Sequence, residues 1–317
     1  MEALEQSYLY GTSPLPQDAS LIHFKTYLFG KPISHSLSPL IQNTIYQQIP
    51  SQWTFHLAET TDPKVFQQTL SDQFCIGTSI TMPNKLSFQP VLDDITEEAR
   101  LMGSVNTTFV RIDKSGHRRI IGTNTDCIGI RDAILQKCPD AVGMAQQKAA
   151  LVTGAGGAAR SAIYALWKWF KPSMIYVANR SKSETDEMID WFRQSIPELL
   201  IEDVMQGAAT IQPFFVIGTI PDFEPQSQEE VLVRTTIDRA LRQSQKGVTV
   251  DMCYSPSVQT YLYALAEDEG WTVVSGVDVV VRVCIAQQIL WLEKALDERG
   301  VHDVLAAVRK TQTAGHG

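Results

Sequence analysis

The chain has few cysteines, no excess of basic charge and no long apolar run, and each shortage closes off a class of protein. Its five cysteines (Cys75, Cys127, Cys138, Cys253 and Cys284) are scattered, odd in number and never in a C-x-x-C pair. That pattern supplies neither a disulfide framework nor a zinc site, and it suits a reducing compartment. The six histidines make no H-x-x-x-H spacing, so metal dependence is not expected. With 27 Lys and Arg against 35 Asp and Glu, the net charge of −8 leaves no basic footprint for nucleic acid or an anionic membrane. No run of about 18 uninterrupted apolar residues occurs, so no membrane span is predicted. Met1 to Gln17 is polar and lacks the apolar core of a signal peptide, which makes the cytosol the expected compartment. Internal repeats and low-complexity segments are absent, and residues 311–317 read as a frayed tail.

What is present suits two α/β domains. A chain of 317 residues is long for one core. From Thr26 to Asp126, short apolar strands alternate with helical stretches. Strands are predicted at Thr26–Gly30 and Cys75–Thr81, and a hairpin at Val105–Ile112 and Arg119–Gly122. A helix over Pro39–Gln48 has Ser38 as N-cap, and another over Ile95–Met102 starts at Asp93 and Asp94. Asp126–Lys137 reads as the helix that carries the chain into its second half. There strands are predicted at Ala149–Val152, Met174–Ala178, Phe214–Ile217, Val248–Met252 and Trp271–Val274, alternating with helices in the manner of a doubly wound parallel sheet. Apolar helices at Val279–Leu296 and Val301–Lys310 close the chain.

The strongest single motif follows the Ala149–Val152 strand: Gly154-Ala155-Gly156-Gly157-Ala158-Ala159. Glycines here allow a sharp turn and close backbone approach to a pyrophosphate, and the helix behind offers free N–H groups and a positive dipole end. A glycine turn without a ligand is the bland alternative, but strand before and helix after favour a dinucleotide. The next strand ends in Asn179-Arg180-Ser181-Lys182 with no acid at its tip, since Glu184 and Asp186 come later. Arg180 suits a 2′-phosphate, so NADP is expected ahead of NAD.

Polar clusters in the first half sit on loops after strands, where sites in α/β proteins are built. They are Ser34-His35-Ser36-Leu37-Ser38-Pro39, Thr81-Met82-Pro83-Asn84-Lys85, Gly103-Ser104-Val105-Asn106-Thr107 and Gly122-Thr123-Asn124-Thr125-Asp126. Their hydroxyls, amides, one ammonium and one carboxylate suit a small polyhydroxylated acid. Taken in order with the glycine loop, the Asn179-Arg180-Ser181 tip and Asp251-Met252-Cys253-Tyr254-Ser255-Pro256, they resemble the shikimate/quinate dehydrogenase family, most closely its fungal members, over about residues 27 to 291.

That resemblance implies an α/β substrate domain (residues 1–126 and 279–317) and a Rossmann-like dinucleotide domain (127–278). It implies NADP-dependent oxidation of a ring hydroxyl to a ketone. Lys85 and Asp126 would be catalytic, and Ser36, Ser38, Thr81, Asn106 and Tyr254 would contact the substrate. Gly154, Ala155, Gly156, Gly157, Ala158, Asn179, Arg180, Ser181, Thr219 and Gly276 would hold the cofactor. Two positions depart from the family pattern. Asn84 stands where relatives often carry histidine, and Val283 stands at the family's substrate-binding glutamine, preceded by Arg282. The second departure implies altered specificity or weakened activity. A metabolite-sensing regulator of the quinate pathway is the alternative reading; retention of Lys85 and Asp126 favours the enzyme.

Overall fold

The computed structural model describes residues 2–49, 51–206 and 211–314 and divides the chain into two compact α/β units. The first comprises residues 1–100, 104–125 and 283–317. Its strands are β1 (Lys25–Gly30), β2 (Thr54–Glu59), β3 (Cys75–Ile80), β4 (Asp94–Ile95), β5 (Thr107–Ile112) and β6 (Arg118–Thr123). Interleaved helices are α1 (Glu2–Ser7), α2 (Ser38–Gln48), α3 (Pro63–Leu70), α4 (Asn84–Ser87) and α5 (Glu97–Met102). The six strands form one mixed sheet in the order β2-β1-β3-β5-β6-β4, parallel at β1/β2, β1/β3 and β4/β6 and antiparallel at β3/β5 and β5/β6.

Both faces of this sheet are covered, as continuous apolar strands require. One cluster gathers Leu28, Trp53, Phe55, Phe109, Leu290 and Trp291; the other gathers Phe29, Phe66, Ile80, Phe88 and Val105. The N-terminal segment is tied down by Arg111, which is buried at 1% exposure. Its guanidinium donates to Ser7 Oγ (2.5 Å), pairs with Glu293 (3.2 Å) and stacks on the Tyr8 ring (4.9 Å). A buried Arg needs such partners to offset its desolvation.

Two local expectations are corrected here. Ser38 is the first residue of α2 rather than its cap, because Leu37 precedes the helix and Ser36 Oγ accepts the Ser38 N–H (3.2 Å). Asp93 and Asp94 do not open a helix. Asp94–Ile95 pairs with β6, Asp93 Oδ2 accepts the Ile120 N–H (2.7 Å), and α5 begins at Glu97.

The second unit comprises residues 101–103 and 126–282. Its helices are α6 (Asp126–Lys137), α7 (Ala141–Ala145), α8 (Gly157–Ala165), α9 (Lys182–Ser195), α10 (Gln228–Leu241), α11 (Tyr261–Asp268) and the start of α12 (Gly276–Leu292). The strands are β7 (Ala149–Thr153), β8 (Met174–Ala178), β9 (Ile201–Asp203), β10 (Pro213–Gly218), β11 (Val248–Asp251) and β12 (Thr272–Val274). They form an all-parallel sheet in the order β12-β11-β10-β7-β8-β9. Counted from β7, that is the 3-2-1-4-5-6 order of a dinucleotide-binding fold, with its switch point between β7 and β10. The chain stays apolar through β10, all six of whose residues are buried.

α12 starts three residues earlier than expected, because Ser275 and Asp278 cap each other: Ser275 Oγ accepts the Asp278 N–H (3.1 Å), and Asp278 Oδ2 accepts from Ser275 N (3.2 Å). It ends at Leu292, where Glu293 takes a left-handed φ of 54°. A final helix, α13 (Glu298–Ala314), runs through residues expected to fray as far as 314; residues 315–317 lie outside the described residues. Among the described residues, no helix is long and apolar enough to cross a membrane.

Candidate functional site

In the first unit the polar loops meet at one end of the sheet, knitted by backbone hydrogen bonds. The Thr81 N–H donates to the Phe29 carbonyl (2.8 Å) and the Lys31 N–H to the Met82 carbonyl (3.0 Å), which ties the loop after β1 to the loop after β3. Val105 N–H donates to the Lys85 carbonyl (2.9 Å), and Asn106 N–H to the Thr123 carbonyl (3.1 Å). Lys85, half-buried on the short helix α4, is therefore positioned through its own backbone by the segment that carries Asn106 into β5. Ser36 and Thr81 are half-buried and Ser38 is buried.

Asn106 is 2% exposed, and its amide orientation is fixed. Its Oδ1 accepts from Thr107 Oγ1 (2.7 Å), the Thr125 N–H (2.7 Å) and Thr125 Oγ1 (3.2 Å). Asn84 is 1% exposed; Nδ2 donates to the Thr60 carbonyl (2.9 Å), while Oδ1 is buried without a partner.

One residue of this cluster escaped the sequence reading. Gln287, on α12, is 2% exposed. Its Oε1 accepts from Gln42 Nε2 (2.8 Å) and Ser79 Oγ (2.9 Å), and its Nε2 donates to Thr107 Oγ1 (3.0 Å). Gln287 lies one helical turn beyond Val283, which is itself 7% exposed. Two consecutive glutamines in the second half of a helix whose charged residues, Asp278 and Arg282, both lie in the first half were the available signal.

Asp126 opens α6 in the second unit, directly after Thr125, and is 6% exposed. In that unit the glycine turn has the geometry its sequence implies. Gly154 adopts φ +101°, and a Cβ there would meet Thr219 Oγ1 at 2.6 Å. Thr219 Oγ1 donates to the Thr153 carbonyl (2.6 Å), so Thr219 shapes the turn from the neighbouring strand's loop. Gly156 is exposed and a Cβ there would meet nothing within 4 Å. The chain's own packing does not demand glycine at that position, whereas close approach by a pyrophosphate does. Gly157 and Ala158 open α8, and Ala155 is buried beside them. These residues fit a dinucleotide.

At the tip of β8, Asn179 is buried and Nδ2 donates to Glu184 Oε2 (3.3 Å), while Ser181 caps α9. Arg180 carries a partner that the sequence did not suggest: its Nη1 donates to Glu230 Oε1 at 2.5 Å. Glu230 stands at the start of α10 in a capping box with Ser227. Hydrogen bonds from Gln226 N, then Arg180 and Ser227 N, hold its carboxyl below the ordinary range. Phe223, 40% exposed, lies with its ring centroid 6.0 Å from the Arg180 guanidinium.

Tyr254 is half-buried on the loop after β11. Asp251, at the end of that strand, accepts from Thr260 Oγ1 (2.5 Å) and Cys253 N (3.0 Å), and burial pushes its carboxyl up to about 7. Gly276 packs on the same loop, where a Cβ would strike the Met252 carbonyl oxygen at 2.6 Å. Arg282 donates to the Asp278 carbonyl (3.3 Å) and to Gln136 on α6. Among the described residues no three His, Cys, Asp or Glu side chains gather as a metal site.

A mixed-sheet unit carrying a polar loop cluster, joined to a dinucleotide-type parallel sheet, defines an NAD(P)-dependent oxidoreductase. The shikimate dehydrogenase substrate-binding domain matches residues 28–108. A quinate dehydrogenase of Emericella nidulans is 36% identical over 306 residues, covering 90% of this chain and 93% of its own length. The chain belongs to the shikimate/quinate dehydrogenase family. Solved structures share the fold: a Corynebacterium glutamicum quinate dehydrogenase in complex with NAD has a TM-score of 0.72 at 20% identity, covering 90% of this chain and 99% of its own. A Thermus thermophilus shikimate 5-dehydrogenase in complex with NADP(H) and shikimate gives 0.67 at 22%, covering 90% and 99%.

Proposed function

We propose that the protein oxidises a ring hydroxyl of a quinate- or shikimate-type hydroxy acid to the ketone, reversibly. The observation that carries this reading is the 36% identity to a quinate dehydrogenase across nine tenths of the chain. In this reading residues 1–126 and 279–317 serve as the substrate domain and 127–278 as the dinucleotide domain. Ser36 and Ser38 hold the substrate carboxylate, and Thr81, Asn106 and Tyr254 contact the rest of the molecule. Asn106, its oxygen already occupied, donates through Nδ2 to a ring hydroxyl.

A nicotinamide dinucleotide, when held by this unit, would supply the hydride acceptor. Lys85 takes the hydroxyl proton at Nζ, and Asp126 accepts a hydrogen bond from an adjacent substrate hydroxyl. The Gly154–Ala158 turn and the α8 N–H groups cradle the pyrophosphate, with Thr219 and Gly276 shaping the walls. Asn179, Arg180 and Ser181 face the adenosine end. The Arg180 charge supports NADP; its carboxylate partner weighs toward NAD, so the preference turns on that pair.

Val283 favours a second, narrower reading in which quinate and shikimate are poor substrates. Initial rates with each acid and each dinucleotide, followed at the reduced nicotinamide's absorbance, test the function. Lys85→Ala and Asp126→Ala are each expected to lower kcat by about 10²–10⁴-fold with a smaller change in KM, since both groups act where the proton moves. A Lys85→Ala protein with near-normal kcat contradicts the assignment of the base.

A further inference from the structure

The Arg180–Glu230 pair lies where a dinucleotide fold distinguishes its two cofactors. Arg180 follows β8 and Glu230 opens α10 after β10, and these strands flank β7 in the sheet. The pair therefore joins the two loops on either side of the Gly154–Gly157 turn. Its two halves differ in freedom. The Arg180 side chain is 60% exposed and the Glu230 side chain only 12%. Glu230 Oε2 also accepts from Gln226 N (2.8 Å) and Ser227 N (3.2 Å), which pins the carboxylate to the helix start. The guanidinium can swing away, whereas the negative charge stays.

The other cation at this tip is engaged as well: Lys182 Nζ pairs with Asp186 at 2.5 Å. Glu184 adds a further carboxylate beside Asn179. Two cations thus face three carboxylates. A 2′-phosphate brought here must draw Arg180 off Glu230 and then sit near a fixed carboxylate. A free ribose diol has donors that a carboxylate accepts. Sites that take NAD present such an acid at the tip of the second strand. Here no acid stands there in sequence, and Glu230 brings one from fifty residues away.

We propose that Glu230 is a cofactor-selectivity residue that biases the site toward NAD and against NADP. The proposal rests on the dinucleotide reading above, and binding rather than turnover separates the two. Glu230→Gln is the variant of choice, because glutamine at this position of a capping box still accepts the Gln226 and Ser227 N–H groups. Calorimetric titration of the full chain with NAD, NADP and adenosine 2′,5′-bisphosphate reads the effect without catalysis. The unmodified protein is expected to bind NAD at least as tightly as NADP. Glu230→Gln is expected to strengthen NADP and the bisphosphate by about tenfold or more, with NAD changed by less than about threefold. An unchanged NADP/NAD ratio in Glu230→Gln overturns the proposal, as does unmodified protein that binds NADP more than about tenfold tighter than NAD. Failure of both dinucleotides to bind the unmodified protein overturns the dinucleotide reading itself.

Discussion

The family resemblance implies a substrate-binding glutamine at the position of Val283, and a valine side chain can neither donate nor accept. A substrate hydroxyl placed against it is desolvated without a partner, at about 1–3 kcal/mol. The neighbouring groups do not replace the amide: Gln287 is already bonded to Gln42, Ser79 and Thr107, and Arg282 is engaged with Gln136 and the Asp278 carbonyl. Val283→Gln is therefore expected to lower KM for quinate or shikimate on the order of tenfold, with dinucleotide affinity unchanged. Steady-state kinetics with both acids check this, and an unaltered KM for both means that the hydroxyl lies elsewhere. Asp251 sets a second expectation. Its carboxyl is raised to about 7 by burial, above its unfolded value, so its contribution to stability is complete below about pH 4 and is lost as pH rises through 7. Asn keeps the Oδ1 acceptor for the Cys253 N–H without ionising and turns its Nδ2 donor toward Thr260 Oγ1. Between pH 4 and 8, denaturant unfolding is expected to show Asp251→Asn gaining a few kcal/mol relative to the unmodified protein. A pH-independent difference rules out a buried neutral acid.

Elements with continuous apolar sequence are legible in the sequence itself. β7, β8 and β10 fall within a residue of their expected bounds, and α6 matches its expected span, because burial on both faces writes itself into four or five consecutive residues. β9 was not read: it has three residues, Ile201-Glu202-Asp203, and two are acids held by edge pairing to β8. Asp94–Ile95 looked like a helix start because acids favour first turns, and only the pairing with β6 overrides that preference. The expected α12 start at Val279 ignored the Ser275–Asp278 cap. Packing of α12 gives an element-scale test. Trp291 Nε1 donates to the Thr108 carbonyl (2.8 Å), and a Cβ on Gly77 of β3 would fall 2.1 Å from that nitrogen. Gly77→Ala must displace the indole and is expected to destabilise the protein by about 1–3 kcal/mol, read as a lower unfolding midpoint. Unchanged stability shows that Trp291 can move without loss.

At the scale of the whole molecule, alternation of strand and helix announced an α/β protein, and the structure adds that one sheet is mixed and the other wholly parallel. Motif order along the chain carried the family. What sequence could not carry were side chains meeting across long separations: Glu230 with Arg180, and Gln287 with Gln42, Ser79 and Thr107. No periodicity encodes such pairs, since each partner looks like an ordinary polar residue on its own element. In the proposed function this chain transfers a hydride from a ring carbinol, rather than only sensing the acid that carries it. The most direct test uses quinate and shikimate deuterated at the reactive carbinol carbon, incubated with the protein and oxidised dinucleotide. Mass spectrometry of the dinucleotide is expected to find one deuterium in the reduced nicotinamide, matched by an equivalent of ketone. Saturable binding of both acid and dinucleotide with no deuterium transferred contradicts the account and leaves a sensor in its place.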